Sequence, residues 1–511
     1  MPRDGIDCNR EHDKCRVSIR GTMMRTLGAS FALTLSLAMA EATHADPLFE
    51  TEPTVRDLAK TALCRSPQSR SASAALEAAD AVVDIARSAK RPTLDLESSA
   101  GYLDQRNRFD RAFDSDVDGT FTDVSLLARQ QLYDGGETRS RTAAAEAQQQ
   151  AALARRDSVQ QSILFRAFEA TVDLARSREV LDLNTASQTI LEQQLSYTRA
   201  RVEAGESARM DQSRTDAALL VSRSNVVLAD ARLSADRNTA RLVVGADAAG
   251  APSDGLARSL TRIGDRLQLQ DGRADTLEDH PRVREARWSA EAADRRTDAV
   301  RRSFRPRADA NARLNRLTGP VNFGDFNDTS QSYTSQAFVS VRVPLYSGGL
   351  KRARIAEASA LASGFDYDLA EVRNEVALAH SNALDLYAAT KEARDRVAEA
   401  VEQAEAVIVA ARSASRSGRI STIDLLATED LLLDLRVQQT DAEADVARAA
   451  LSLMRAAGLL TMDAVLGRGV ETYGTELNCG SESPPRLLSS DTRADGAFIG
   501  PPIAIADASQ P

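Results

Sequence analysis

From Arg307 onward the chain alternates: Ala308, Ala310, Ala312 and Leu314 interleave with Arg307, Asp309, Asn311 and Arg313. A second run sets Ala337, Val339, Val341, Val343 and Leu345 against Gln336, Phe338, Ser340, Arg342 and Pro344. Period two with one apolar face predicts strands. The same pattern occurs earlier, over 93–102 (Leu94, Leu96, Ala100) and 120–133 (Val124, Leu126, Ala128, Leu132). Each run is about ten residues, enough for a tilted strand to cross a bilayer's hydrocarbon. The polar stretches 103–119 and 317–334, rich in Asp, Asn, Arg and Gly, read as loops.

Between the strand pairs the period changes. No Gly or Pro occurs between Gly136 and Gly205, and the matching stretch 350–417 is interrupted only by Gly364. At ~1.5 Å per residue each predicts a helix of roughly 100 Å. The second carries a 4,3 seam: Phe365, Leu369, Val372, Val376, Ala379, Ala383, Leu386, then Ala393 to Ala414, with only Thr390 out of pattern. The first has a weaker seam, through Ile163, Ala167, Leu174, Leu191 and Leu195, with polar gaps at Ser177, Asn184, Gln188 and Thr198. A 3.5-residue period calls for a partner helix. Gly205 and Gly418 suit the left-handed helix end, and return helices are predicted over about 207–244 and 421–457. Ser421 with Asp424 has capping-box spacing. The return helix and the next helix, about 282–303, together approach the long helix in length, so the two are expected to stack in series beside it.

These elements form a tandem duplication. Pro67 aligns with Pro281 and the Arg91-Pro92 pair with Arg305-Pro306, an offset of 214. The string from Leu132 to Gly136 aligns with that from Leu345 to Gly349, as do Gly205 with Gly418, Asp211 with Asp424 and Gly245 with Gly458, at 213. The organisation read from this is a leader over 1–45, a helix over 46–91, a hairpin over 92–134, a helical hairpin over 135–245 and a linker over 246–280. The second copy has a helix over 281–305, a hairpin over 306–347, a helical hairpin over 348–458 and a tail over 459–511.

Composition narrows the class. Aromatics are 4% and charged residues 27%, unlike a compact aromatic core. The net charge of -10 speaks against a nucleic-acid binder. Mean hydropathy is -0.33, and no apolar run is long enough for a spanning helix, so a membrane crossing must use strands. Arg25, the apolar run from Leu27 to Ala40 and the small residues after it read as a secretory signal, with translation starting at Met23 or Met24. No Cys follows that run, so no lipid anchor is expected. Beyond the leader stand Cys64 and Cys479, which can pair or remain free thiols. Outside the leader only His280 and His380 occur, with no metal-ligand spacing and no phosphate loop, so neither an enzyme nor a cofactor is expected.

Four strands cannot close a membrane barrel, and an open edge in lipid costs several kcal/mol per unsatisfied group. The chain must lend its strands to an oligomer. The repeated order of strand pair, long helix, glycine turn and return helix resembles the TolC family of outer-membrane efflux and secretion channels. The string Val-Arg-Val-Pro-Leu-Tyr-Ser-Gly-Gly from Val341 to Gly349 is particularly similar to that family's strand-to-helix junction, and the resemblance covers about 54–460. It implies a mixed α and β membrane protein: a homotrimeric twelve-stranded β-barrel in outer-membrane lipid, continued by a long α-helical periplasmic barrel of coiled-coil hairpins. It also implies a passive duct for type I protein secretion or drug efflux, working with a periplasmic adaptor and an inner-membrane ABC or proton-driven transporter.

By position, the resemblance gives Asp424 an entrance role and Asp211 a gate-link role, with Arg416 and Arg419 close by. Gly205, Glu206, Gly418 and Arg419 fall at the hairpin tips that would meet the adaptor. The sequence departs from the family where its second entrance aspartate, tip tyrosine and link arginine would be, at Ala427, Ser415 and Ile420. Asp424 equally suits a helix start. A periplasmic coiled-coil adaptor or scaffold is the alternative; it keeps the helices and leaves the strands unexplained.

Overall fold

The computed structural model describes residues 53–108, 114–245, 253–269, 274–323, 326–417 and 419–461. Elements run α1 (Pro53–Arg65), α2 (Pro67–Ser88), β1 (Thr93–Arg108), β2 (Asp114–Tyr133), α3 (Glu137–Glu203) and α4 (Arg209–Val243). After them come α5 (Ser253–Leu269), a 3-10 turn (Ala274–Asp279), α6 (Pro281–Arg302), β3 (Arg307–Phe323), β4 (Phe326–Arg342), α7 (Leu350–Arg416) and α8 (Thr422–Ala456). The duplication is visible in the lengths: α3 and α7 are 67 residues each, α4 and α8 35, and α2 and α6 22. The leader, Gly418 and the tail with Cys479 lie outside the described residues.

Three readings are corrected. The strands run past the apolar alternation into 103–108, 114–119, 317–323 and 326–334, which had read as loops. Backbone pairing continues there without an apolar face, because ladder hydrogen bonds do not depend on side-chain polarity. The first helical segment is two helices broken before Pro67, which takes the N1 position of α2. The linker 246–280 contains α5, a helix that packs against α8.

The stacking in series exists, but with different partners. The end of α4 lies at the junction of α1 and α2, two residues before Pro67, where a Cβ on Gly245 would stand 2.8 Å from the Arg65 guanidinium. The end of α8 lies at the start of α6, where Gly458 packs on His280. Each return helix therefore continues into the short helix of its own copy, and α4 does not continue into α6. The closing glycines have φ of +119° and +73°, which lets the chain turn where a side chain would collide.

The sheet has four antiparallel strands in the order β1-β2-β3-β4. Leu96 faces Leu126, Leu126 faces Leu314, and Ala310 faces Val339, so one face is an apolar band. The other face carries Asp95, Glu97, Asp123, Arg129, Asp309 and Arg313. The main apolar core sits where α1, α3, α5 and α8 meet, around Phe168, Leu164, Leu260, Leu451 and Met454.

The α3 seam is buried as predicted at Ile163, Ala167, Leu174, Leu191 and Leu195, and the polar gaps Ser177, Asn184 and Thr198 are buried with it. Ser177 is satisfied by the Asp236 carboxylate on α4, and Asn184 by the Val180 carbonyl at 2.7 Å. On α7 the predicted seam is only partly covered. Leu386 and Val407 are exposed, whereas Tyr387 and Ile408, one residue on, are buried. The neighbours within the chain meet a face rotated by one position, and the predicted seam's outer edge is left bare.

Candidate functional site

Each long hairpin ends in the same way. In α3 the Gly205 amide bonds the Val202 carbonyl and the Glu206 amide the Arg201 carbonyl, a Schellman closure with Gly205 at φ +75°. In α7 the Arg419 amide closes on the Ala414 carbonyl at 2.9 Å, the equivalent bond. Glu206 then pairs back with Arg201 at 3.7 Å. Arg419 is exposed, and the Arg416 side chain lies outside what is described.

The two aspartates start the return helices. The Asp424 carboxylate accepts from the Ser421 hydroxyl at 2.8 Å and its backbone amide at 3.4 Å, while the Asp424 amide donates to the Ser421 hydroxyl at 3.2 Å. That is the capping box with Asp in the acidic place. Asp211 holds the equivalent first-turn position of α4 and accepts from the Ser207 hydroxyl at 2.9 Å. Both carboxylates also suit the positive helix end. Among the described residues, Asp211, Asp424 and Arg419 are tied within their own turns and not to one another.

Above each tip stand two ion pairs of opposite polarity. In the second hairpin Arg412 grips Glu429 through Nε and Nη2, both at 2.9 Å, and Arg436 reaches Glu405 at 2.9 Å. In the first, Arg199 meets Asp216 at 3.8 Å and Arg223 meets Glu192 at 3.1 Å. The four positions correspond one for one at the 213 offset. Donation from Arg412 to the Glu429 carboxylate raises the Arg412 pKa. Bonds from Gln188 and Arg223 lower that of Glu192. These charges repeat in the sequence like the glycines, and comparing the copies for charge as well as for Gly and Pro would have found them. The hairpins also touch: Leu426 of α8 packs against Leu191, Leu195 and Leu219.

At mid-height a second cluster was not foreseen. Tyr387 is fully buried under Gly264 of α5, where a Cβ would stand 2.5 Å from its ring. Its hydroxyl lies 3.0 Å from Asp265 and 2.9 Å from the Thr261 carbonyl, and Lys391 donates to Asp265 at 2.7 Å. Burial disfavours the Asp265 charge, but the bonds from Lys391 and Tyr387 outweigh it and hold the carboxyl below its usual range. Burial, then Asp265, pushes the Tyr387 hydroxyl well up. The clamp pins α7 to α5. A lone Tyr in a polar helix and a Gly in a distant linker carry no shared sequence signal.

His280, read as structural, caps α6: Nδ1 accepts from the Arg282 amide, and Nε2 donates to the Arg455 carbonyl at the end of α8. Burial lowers its pKa to about 4, opposed by the Arg455 carbonyl bond and reinforced by the charges of Arg282, Arg284 and Arg455. Cys64 is disulfide-bonded. No group of metal-ligating side chains occurs among the described residues, and no described helix is long and apolar enough to cross a membrane.

A four-stranded wall with one apolar face, joined to two long hairpins closed at their far ends, defines the protomer of a channel that meets lipid with strands and continues beyond it with helices. The family model described as outer membrane efflux protein matches residues 58–246 and 273–459. The chain belongs to the outer membrane efflux protein family. It is 27% identical over 406 residues to the outer membrane efflux protein BepC of Brucella suis, covering 78% of this chain and 83% of BepC. It is 30% identical over 306 residues to Protein CyaE of Bordetella pertussis, covering 58% of this chain and 61% of CyaE. The fold matches the outer membrane protein VceC of Vibrio cholerae at TM-score 0.66 and 18% identity, over 80% of this chain and 96% of VceC.

The protein is therefore an outer-membrane export channel that extends into the periplasm, from a family of passive channels and not of enzymes. The fold class stands as read: four strands per chain feed a shared barrel continued by a helical one. Channels of this family work as trimers with a periplasmic adaptor and inner-membrane transporters.

Proposed function

We infer that the protein is the passive outer-membrane duct of a three-part export machine, with its periplasmic entrance at the closed ends of α3/α4 and α7/α8. The observation that carries this reading is the pair of equivalent tips, each closed by the same backbone bond, from Glu206 to Arg201 and from Arg419 to Ala414, and braced by two ion pairs. Energy comes from an ABC or proton-driven transporter in the inner membrane. The tips, including Gly205, Glu206, Gly418 and Arg419, meet the adaptor.

Asp424 supplies the entrance charge, repeated around the trimer, and Asp211 with Arg416 and Arg419 forms links that hold the entrance shut. A ring of carboxylates favours cations in a narrow mouth. Cys64 is assigned Cys479 as its partner, the one other cysteine beyond the leader. Single-channel recording of Asp424→Asn tests the entrance: cation preference falls, and an unchanged preference removes Asp424 from it. The family match supports export without naming the cargo, and the adjoining transporter decides between proteins and small molecules.

A further inference from the structure

A groove of about 870 Å³ lies on α3 between α2 and α6, a size that suits a small organic molecule. Ala72, Ala75, Ala151, Ala152 and Val159 give it an apolar floor. Arg155, Arg156 and Arg166 line it with guanidinium groups, against the single carboxylate of Glu285.

These cations are poorly matched within the chain. Arg156, 11% exposed, shares the enclosed Asp157 carboxylate with Arg284, which donate to it at 3.0 Å and 2.7 Å. One acid serves two arginines, and the buried Arg156 Nε has no hydrogen-bond partner. An unmet buried donor is uncommon and costs stability. Arg166 bonds only the neutral Gln68, at 2.9 Å. Among the described residues neither Arg155 nor Glu285 makes a hydrogen bond or an ion pair. Burial works against the Glu285 charge and raises its pKa despite Arg155 and Arg282.

The duplication supplies an internal control. At the 213 offset Arg155, Arg156 and Arg166 correspond to Asp368, Leu369 and Ala379. Both copies build the same helical layer, so the layer itself does not require the three arginines. They are particular to this groove, in a chain whose net charge is -10.

The groove also has a definite side. Leu164 and Phe168 of α3 enter the core shared with α1 and α5. Arg155 is about two and a half turns from Leu164, and Ser162 and Arg166 flank Leu164 at about half a turn. The groove therefore opens on the face of the helical layer opposite α1 and α5. A duct keeps such added helices off its bore, so the groove lies on the bore side.

We propose that this groove is a site in the bore for amphiphilic organic anions. Arg155 and Arg156 hold a carboxylate, sulfonate or phosphate group, and Val159 with the alanines covers the apolar body. The proposal rests on the export-channel reading above and gives that duct a cargo class. Guanidinium groups fit such anions because they present parallel donors to paired oxygens. The floor then favours an anion with an apolar body over a bare ion.

The full chain in nanodiscs, with empty nanodiscs as blank, is titrated calorimetrically with naphthalene-1-sulfonate, inorganic sulfate and 1-naphthylmethylammonium. The sulfonate should bind saturably, and the other two far more weakly. Arg155→Gln should weaken it roughly tenfold, the loss of one charge-assisted bond. Because Arg156 belongs to an enclosed ion cluster, Ala152→Trp provides a second variant that fills the floor and leaves every charge in place; it should abolish binding. In planar bilayers the sulfonate should reduce single-channel current through the unsubstituted protein and not through Ala152→Trp. Equal binding of sulfate or of the ammonium, or sulfonate binding unchanged in both variants, overturns the site. Binding without any effect on current overturns its place in the bore. A protein that conducts and binds no sulfonate contradicts the site alone, whereas one that forms no channel contradicts the export reading itself.

Discussion

Arg412 holds Glu429 through two parallel hydrogen bonds of 2.9 Å, and 213 residues earlier Arg199 faces Asp216 at 3.8 Å in the equivalent place. The duplicated brace has diverged into a tight copy and a loose one. Glu429 is the more enclosed carboxylate, 15% exposed, whereas Asp216 is half exposed. Exposed pairs contribute little, and the enclosed bidentate one more.

Arg412→Gln should therefore loosen the second hairpin and raise single-channel conductance at rest, with Arg199→Gln changing it far less. Recording both variants in planar bilayers checks the asymmetry. Equal effects would mean that the brace does not restrain the tip.

Capping and entrance roles at the second tip separate by substitution. Ser421→Ala removes the hydroxyl that bonds the Asp424 amide and costs about 1 kcal/mol of helix stability, while the Asp424 charge remains. Thermal melting should fall, and ion selectivity should hold. Asp424→Asn should do the reverse, since Asn still accepts at that position.

The clamp between α5 and α7 predicts that Gly264→Ala destabilises despite alanine's higher helix propensity. The added methyl meets the Tyr387 ring at 2.5 Å, and overpacking costs about 1–3 kcal/mol. Tyr387→Phe keeps the ring and loses the bond to Asp265, a smaller loss of about 1 kcal/mol. Melting temperatures of the two variants should rank in that order.

His280 gives the fold an acid limit. Its pKa is lowered to about 4 in the fold from 6.5. The neutral ring's stabilisation is therefore complete above pH 6.5 and lost as pH falls toward 4. The full loss is about 3 kcal/mol for that shift. His280→Asn keeps an acceptor for the Arg282 amide and should flatten stability between pH 4 and 6.5, measured by denaturant unfolding across that range.

Much of this architecture can be read along the chain because it is periodic. The alternation at Ala308 to Leu314 and the glycine-free helical runs report local geometry, and the duplication checks each assignment twice. The strand ends were less legible. Pairing of Arg108 with Asp114 or Asn322 with Asn327 depends on the backbone ladder and leaves no apolar mark. The end-to-end stacking was misassigned because length alone cannot tell which short helix continues a return helix; the approach of Gly458 to His280 decides it. At the tips, Ser421 and Asp424 were legible as a cap, and the ion pairs were missed although their charges repeat.

The central claim is that one chain supplies a third of a pore wall. Light scattering of the protein extracted from outer membranes in mild detergent, corrected for bound detergent, measures it directly. A particle of three mature chains is predicted. A single chain, or one released into the periplasmic fraction without detergent, would contradict it.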